Sequence, residues 1–261
     1  MTAAPPASRR ARRKKPRPRA TFASVLGELL LTAGVIVLLF VAWQLWVGDV
    51  IIGSQKDADA AEISQRWAAE PAPEPPALTD PDDETSWEVP IPDRPDGTGL
   101  LGNMRIPRFG DEYNREIHGG TTRPATLDHG WIGLYDQAKL PGEKGNFSMA
   151  AHRTTWGRPF NQLDKLKIGD AIVVETKDGW YTYRFRTLEY VQPDEIEVLA
   201  DVPQAPELDT DERYITLTAC SPLYSLAERI IAYGVFDSFQ PRSEGEPDSL
   251  APVDEVASPS L

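Results

Sequence analysis

An uncharged apolar run near the amino end is the feature that most constrains this chain of 261 residues. Residues 29–47, LLLTAGVIVLLFVAWQLWV, contain no charged side chain. At ~1.5 Å per helical residue the run is ~28 Å long, close to the ~30 Å hydrocarbon core of a bilayer. A cleaved signal has a shorter apolar core of ~7–15 residues, followed at once by small residues. The sequence therefore favours one transmembrane helix, assigned to residues 25–47, over a cleaved signal.

The charge distribution predicts the orientation of this helix. Residues 1–20 carry eight Lys or Arg and no acid, so the basic tail, residues 1–24, should stay in the cytoplasm. The rest of the chain is then extracytoplasmic, in a protein that crosses the cell membrane once. Beyond residue 20, the other 19 bases face all 40 acids, a balance of −21. Such an acidic surface argues against nucleic acid as a partner.

Composition divides the extracytoplasmic part into three segments. Residues 48–99 are expected to form a linker, because 67–98 are rich in Pro, Ala, Asp and Glu and cannot build a core. Within that linker, residues 48–66 could extend as a short juxtamembrane helix. The folded domain is assigned to residues 100–239, and the acidic, Pro/Ser-rich residues 240–261 are predicted to be a disordered tail.

The folded domain contains many short strand patterns with small helical inserts. LGNMRIPRF, NREIHGG, GNFSMAAH, AIVVET, WYTYRFRTLEYV, RYITLTAC and RIIAYGVF all have this character. Tyr181, Tyr183 and Phe185 alternate along one of them and should face the core. The pattern predicts a mostly β barrel or sandwich.

The stretch 214–229, YITLTACSPLYSLAER, carries the chemistry. Its first half alternates as a strand, and Pro222 cannot donate to a ladder, so the strand should stop near Cys220. Arg229 begins the next strand pattern. Two neighbouring strands would bring a thiol and a guanidinium to one end of a sheet, and a nearby cation favours the thiolate, the reactive form of cysteine.

One of the three histidines has a matching position. His152 ends an apolar, small-residue strand and precedes a polar loop, whereas His118 and His129 lie beside glycines, as turn or strand-end residues do. Taken singly, His152 could be an ordinary hydrogen-bonded residue, Cys220 a small core residue and Arg229 a surface ion-pair partner. Only their joint arrangement indicates an activated nucleophile. Cys220 is the only cysteine, which excludes an intramolecular disulfide.

Three motifs carry a family resemblance that spans residues 100–239. TLTACSPLYSLAER resembles the TLxTC…R signature of the sortases, the cysteine transpeptidases of Gram-positive bacteria. GNFSMAAHRTTWGRPFNQL resembles the segment with the sortase histidine, in its class E form, and MRIPRFG resembles the first barrel strand. The motifs occur in the family's order and spacing, and the basic tail, anchor and spacer are also typical of sortases.

The resemblance implies a fold, a reaction and partners. The fold would be an eight-stranded sortase β-barrel preceded by the transmembrane helix. Cys220 would attack the threonine carbonyl of an LAxTG- or LPxTG-like sorting signal at the carboxyl end of a secreted protein. His152 would protonate the departing glycine amine, and Arg229 would hold the substrate or stabilise the oxyanion. An amine from a peptidoglycan precursor or a pilin would then accept the protein, with no metal or organic cofactor.

The chain departs from the family pattern at three positions. Ala219 replaces the usual threonine before the cysteine, Ser221 stands where class E members often have a polar residue such as histidine, and Ala151 replaces a common glycine. We expect these changes to alter substrate preference more than the reaction. Residues 154–156 could line the substrate groove or form a turn that caps the next helix.

Two other functions remain open at this point. A stalked, non-catalytic binding or scaffold domain of the cell surface would fit Ala219 and a buried, inert Cys220. A cell-wall cysteine peptidase that hydrolyses would normally support its histidine with another polar residue, and Arg229 in the sortase position argues against it.

Overall fold

The structure is a computed structural model that describes residues 21–43, 48–79 and 87–253. The basic tail up to residue 20, the end of the predicted anchor and the last part of the acidic tail therefore lie outside the described residues. The chain divides into two compact units, Met1–Leu45 and Trp46–Leu261.

The first unit contains helix α1, Phe22–Ala42. Thr21 and Ser24 form a capping box at its start, in which each side chain accepts a hydrogen bond from the backbone N–H of the other residue. The helix is strongly apolar and has no buried residue. It is long and apolar enough to cross a bilayer, in agreement with the predicted apolar helix.

The second unit is built on a closed barrel of eight strands, which confirms the predicted fold. The strands are β1 Leu100–Arg105, β2 Asn114–Gly119, β3 Ile132–Leu134, β4 Gly145–Ala150, β5 Ala171–Glu175, β6 Gly179–Val191, β7 Arg213–Ser221 and β8 Glu228–Pro241. Their order around the barrel is β1-β2-β3-β4-β7-β8-β6-β5. Short 3₁₀ turns connect several of them.

Strand β4 lies parallel to β7, and this pairing sets the position of the site. The register runs to the pair Ala150↔Thr218, so the two strands end at the same edge of the barrel. Strand β8 is antiparallel to β7 and begins at that edge, where Arg229 pairs with Cys220. The ends of β4 and β7 and the start of β8 therefore meet.

Alternating side chains of the long strands fill the barrel. The aromatic side chains predicted to be core, Tyr181, Tyr183 and Phe185, are buried there. They pack with the apolar faces of β4 and β7, represented by Phe147 and Leu217. The period-two pattern of the sequence is thus satisfied by a common interior.

Helix α2, Gly48–Ala69, packs against β2 of the barrel. Asp57 of α2 forms an ion pair with Arg115, and Ser64 donates a hydrogen bond of 2.7 Å to the Glu175 carboxylate. The predicted linker thus contains a helix longer than the expected juxtamembrane one, and that helix contacts the folded domain.

The two Pro-rich flanks also contact the barrel. Trp87 and Val89 pack against its core, and the Tyr181 hydroxyl donates to the Pro90 carbonyl at 2.9 Å. After β8, the Arg242 guanidinium forms a 3.0 Å ion pair with Glu175. Composition predicts that these flanks cannot build a core of their own, and in the structure a few side chains in each pack on the neighbouring barrel.

Candidate active site

A cavity of about 560 Å³ opens where β4, β7 and β8 meet. The residues that line it are Thr121, Arg123, Leu127, Tyr135, Ala150, Ala151, His152, Arg153, Thr154, Thr155, Thr218, Ala219, Cys220, Tyr224, Ser225, Leu226 and Arg229. The three predicted site residues, His152, Cys220 and Arg229, are all among them. The volume lies within the ~300–1,000 Å³ that ligand pockets usually have.

Cys220 and Arg229 face the cavity as directly paired residues of β7 and β8. Such cross-strand partners project to the same face, with Cβ atoms about 4.5–5.5 Å apart. The thiol is half-buried rather than sealed in the interior. The Arg229 guanidinium donates to the carbonyls of Leu226, at 3.2 Å, and Glu228, at 2.9 Å, which fix it at the start of β8.

His152 reaches the same edge from β4. It follows the end of that strand by two residues, as Cys220 follows the paired Thr218. The imidazole Nε2–H donates to the Asp128 carboxylate at 2.8 Å, which leaves Nδ1 for proton exchange. The Phe160 N–H donates to the His152 carbonyl at 3.1 Å and closes the loop that follows.

The Asp128 carboxylate is held by a short 3₁₀ turn, Leu127–His129. Gly130 ends the turn with φ +79°, and a Cβ there would lie 2.5 Å from the Trp156 carbonyl oxygen. Burial by itself would raise the pKa of Asp128. The hydrogen bond from His152 and the charge of Arg123 outweigh this effect, so the pKa lies below its ordinary value. The carboxylate is therefore ionised at neutral pH.

Tyr135 supplies a hydroxyl on the wall of the cavity. It shares a 2.9 Å hydrogen bond with the Thr218 hydroxyl. Burial raises the pKa of Tyr135, and the neighbouring Cys220 adds to the rise, against the lowering effects of Thr218 and Arg229. The phenol therefore stays protonated at neutral pH and can act as a hydrogen-bond donor.

Arg153 connects the two segments that carry His152 and Cys220. Its buried guanidinium donates to the Ser221 hydroxyl at 3.3 Å and lies 3.3 Å from the Asp164 carboxylate. The residue after the histidine is thus bonded to the residue after the cysteine. This contact limits how far the two segments can separate.

The remaining predicted residues divide between the cavity and other sites. Thr154 and Thr155 line the cavity, whereas Trp156 does not. His118 and His129 also lie outside its lining, where their rings stack on Trp131 at centroid distances of 3.8 and 4.6 Å. Within residues 21–43, 48–79 and 87–253, no three His, Cys, Asp or Glu side chains group as metal ligands would.

Sequence reasoning missed the two polar residues that support the predicted three. Asp128 stands in the DHG turn, 24 positions before His152, and no spacing rule connects them. Tyr135 follows β3, the shortest strand, whose three residues are too few to show a clear period-two pattern. For Asp128, the local signal in the sequence is an acidic residue two positions before a turn glycine, Gly130.

The arrangement contains the parts that acyl transfer requires. A thiol can attack a carbonyl carbon, an imidazole held by a carboxylate can exchange a proton, and a fixed guanidinium can stabilise an oxyanion. The sortase domain family model matches residues 104–237, which include all three groups. The chain belongs to the sortase family.

Individual relatives agree with this assignment. Sortase SrtE2 of Streptomyces coelicolor is 35% identical over 231 residues, which cover 86% of each chain. Sortase SrtE1 of the same organism is 34% identical over 250 residues, covering 94% of this chain and 65% of the relative, so this chain spans less than two thirds of that protein's length. The crystal structure of S. coelicolor sortase E1 with a tripeptide in the active site superimposes with a TM-score of 0.55 and 34% identity, over 60% of this chain and 99% of that one. These relatives confirm that this sortase is most like class E.

Proposed function

We propose that this sortase is a membrane-anchored cysteine transpeptidase that cleaves an LAxTG- or LPxTG-like signal between Thr and Gly. The severed protein passes through a thioacyl intermediate on Cys220 to an amine of a peptidoglycan precursor or a pilin. The observation that carries the proposal is the strand register. Ala150 pairs with Thr218 and Cys220 pairs with Arg229, so residues far apart in sequence border one cavity.

In the proposed acylation step, the Cys220 sulfur attacks the threonine carbonyl carbon and forms a tetrahedral intermediate. The Arg229 guanidinium stabilises the oxyanion, because its charge and its planar donors are fixed in place. The C–N bond then breaks, and the His152 imidazolium gives its proton to the leaving glycine amine. The product is a thioester and neutral imidazole.

Deacylation reverses these roles with a different amine. The acceptor nitrogen attacks the thioester carbonyl while His152 takes its proton, and the C–S bond breaks to restore the thiolate and the imidazolium. Support for a peptide substrate comes from the cavity of about 560 Å³ and from the tripeptide bound to the related sortase E1.

Helix α1 would anchor the enzyme, with the basic amino end in the cytoplasm and the barrel outside. The single cysteine makes this topology testable, since a membrane-impermeant maleimide can label only Cys220. Labelling of intact cells is the expected result. Labelling that requires lysis would contradict the orientation.

Peptide assays test the reaction itself. With an LAxTG peptide and an amine acceptor, the wild type should give a ligated product, and Cys220→Ala should give neither thioester nor product. Arg229→Lys, which keeps the charge but loses the planar fork, should reduce kcat by about 10²–10³-fold, the usual loss for an oxyanion donor. Arg186→Lys on the exposed surface is the matched control.

Three outcomes would contradict the proposal in different ways. Turnover by Cys220→Ala would exclude the thioacyl mechanism. A Cys220-dependent reaction that yields only the free acid, even at high amine concentration, would favour a hydrolase. No labelling of the folded domain by a thiol probe would favour a non-catalytic scaffold.

A further inference from the structure

Helix α2 touches the back of the loop that follows His152. Gly53 is buried in this helix, and a Cβ added to it would lie 3.2 Å from the Gly157 carbonyl oxygen. A Cβ added to Gly157, which has φ +79°, would lie 3.1 Å from the Gly53 Cα and 3.1 Å from its nitrogen. The backbones of helix and loop are therefore in direct contact, through two residues without side chains.

One buried guanidinium fastens this contact. Arg115 of β2 donates to the Gly53 carbonyl at 2.7 Å and to the Gly157 carbonyl at 3.4 Å. It also forms an ion pair with Asp57, one helical turn after Gly53, and the Arg115 side chain is only 6% exposed. Helix, barrel and loop thus share one buried guanidinium.

The same helix also borders the turn that carries Asp128. At Gly130, which ends that turn, an added Cβ would lie 3.4 Å from Lys56 Cγ as well as 2.5 Å from the Trp156 carbonyl oxygen. The α2 side chain therefore packs where the Asp128 turn meets the His152 loop. The two segments that form the His152–Asp128 pair are both in contact with α2.

We propose that α2 is a positioning element of the active site. Gly53 of α2 and Arg115 of β2 fix the loop that follows His152 and so keep the imidazole against Asp128. This inference rests on the proposed catalytic role of His152. The helix begins six residues after the apolar α1 ends, so a catalytic domain that starts at residue 100 would lack it.

The presence of glycine at residue 53 supports a positioning role. Glycine is a poor residue for a helix interior, and alanine or valine there would favour the helical conformation. Substitution would nevertheless force the loop away from the helix, because a carbonyl oxygen cannot move independently of its backbone. A substitution at Gly53 should thus stabilise the helix while it displaces the loop.

Gly53→Ala and Gly53→Val in the full chain, purified in detergent, test the proposal. Ala58→Val, at an exposed position of the same helix, is the matched control. A 1 Å misplacement can cost 10²-fold in rate, so a shift of a few tenths of an ångström should lower kcat about 3–10-fold in Gly53→Ala and more in Gly53→Val. The unfolding temperature should not fall in Gly53→Ala.

A direct readout distinguishes positioning from general packing. The chain has three histidines, so ¹H–¹⁵N spectra of their rings are readily assigned. In both Gly53 variants the His152 ring signal should move toward its position in Asp128→Asn. The His118 signal should move less, since its ring nitrogens are bonded to Thr98 and Glu116 rather than to Asp128.

Unchanged kcat and an unchanged His152 signal in Gly53→Ala would overturn the inference, as would equal effects in Ala58→Val. Turnover by His152→Ala would contradict the proposed function, and this measurement is independent of those on the Gly53 variants. Even then, the ring signal reports whether α2 controls the His152–Asp128 pair. The alanine variant adds one carbon, so it keeps the test valid should the valine variant not fold.

Discussion

Replacing Asp128 with asparagine tests the most informative contact of the site. The change keeps the size and shape of the side chain but removes the charge that accepts the 2.8 Å hydrogen bond from His152. The proposed mechanism requires His152 to carry a positive charge before it protonates the leaving amine. We therefore expect Asp128→Asn to weaken catalysis without unfolding the domain.

The solvent exposure of the His152–Asp128 pair determines how large the loss of activity should be. Ion pairs on the surface contribute ~0–1 kcal/mol, and hydrogen bonds to charged groups in less exposed places ~1.5–3 kcal/mol. The His152 and Asp128 side chains are 14% and 26% exposed, between these limits. An intermediate value of about 1–2 kcal/mol corresponds to a loss of roughly 5–30-fold in kcat/KM.

The pH dependence follows from the lowered pKa of Asp128. A carboxyl whose folded-state pKa lies below its ordinary 3.8 contributes stability that is present above 3.8 and is lost as the pH falls through the lower value. Between about pH 5 and pH 9 the carboxylate therefore stays charged. Any pH dependence that the Asp128 substitution changes in this range therefore comes from another group of the site.

The assay is kcat/KM for an LAxTG peptide between about pH 5 and pH 9, where Asp128 stays ionised. The wild type is compared with Asp128→Asn and with Arg123→Ala. The latter removes the second partner of Asp128, which is 67% exposed and 3.4 Å away, so its effect should be less than about twofold. Equal profiles for wild type and Asp128→Asn would refute the role given to this carboxylate. A larger loss in Arg123→Ala would refute the ranking of its two partners.

Two further predictions concern stability, measured by denaturant unfolding of the full chain. Tyr183→Phe removes the hydroxyl that accepts a 3.1 Å hydrogen bond from the buried Gly142 N–H, and should lower the free energy of unfolding by ~1–3 kcal/mol. The control is Tyr190→Phe, at a residue that is 52% exposed, and it should change the free energy of unfolding little. Equal effects of the two substitutions would contradict this account. Arg242→Ala leaves the Glu175 carboxylate, 1% exposed, without its 3.0 Å partner and should cost ~3–5 kcal/mol, whereas wild-type stability would indicate that the residues after β8 are not docked.

Local patterns were sufficient for most strands and for the positions of Cys220 and Arg229 at neighbouring strand ends. The alternation in β7 and the effect of Pro222 place Cys220 at a strand end from sequence alone, and β7 indeed ends one residue later, at Ser221. The hairpin-like spacing of β7 and β8 gives the pairing with Arg229. These features depend on neighbours along the chain, which the sequence displays directly.

Long-range contacts could not be read in the same way. The parallel pairing of β4 with β7 joins Ala150 to Thr218, and no periodicity in either strand specifies the other as its partner. The sequence motifs place His152 and Cys220 at strand ends, but they do not specify this pairing. Neither strand patterns nor family motifs predict the contact of Asp128 with His152 or the docking of α2. An acidic residue in a turn and a glycine in a helix are common in proteins, and most of them have no part in a functional site.

The register of β7 bears on the alanine before the nucleophile. The resemblance to the sortases implies that Ala219 lacks the hydroxyl of the usual threonine. In β7, however, Cys220 and Thr218 share one face, and Ala219 projects to the other. Ala219 is 4% exposed and packs in the barrel core, although it borders the cavity.

The isosteric pair Ala219→Thr and Ala219→Val separates a hydroxyl effect from a volume effect. Both variants add bulk to a filled core and should lose ~1–3 kcal/mol of stability. Because the added atoms project away from the Cys220 face, we expect kcat/KM values for the two variants that agree within about twofold. A threonine variant that exceeds both valine and wild type several-fold would show that a hydroxyl at residue 219 reaches the reacting atoms, against the alternation of β7. Equal activity would instead mean that this sortase dispenses with that hydroxyl, because Thr218 and Tyr135 already place two hydroxyls on the cavity wall beside Cys220.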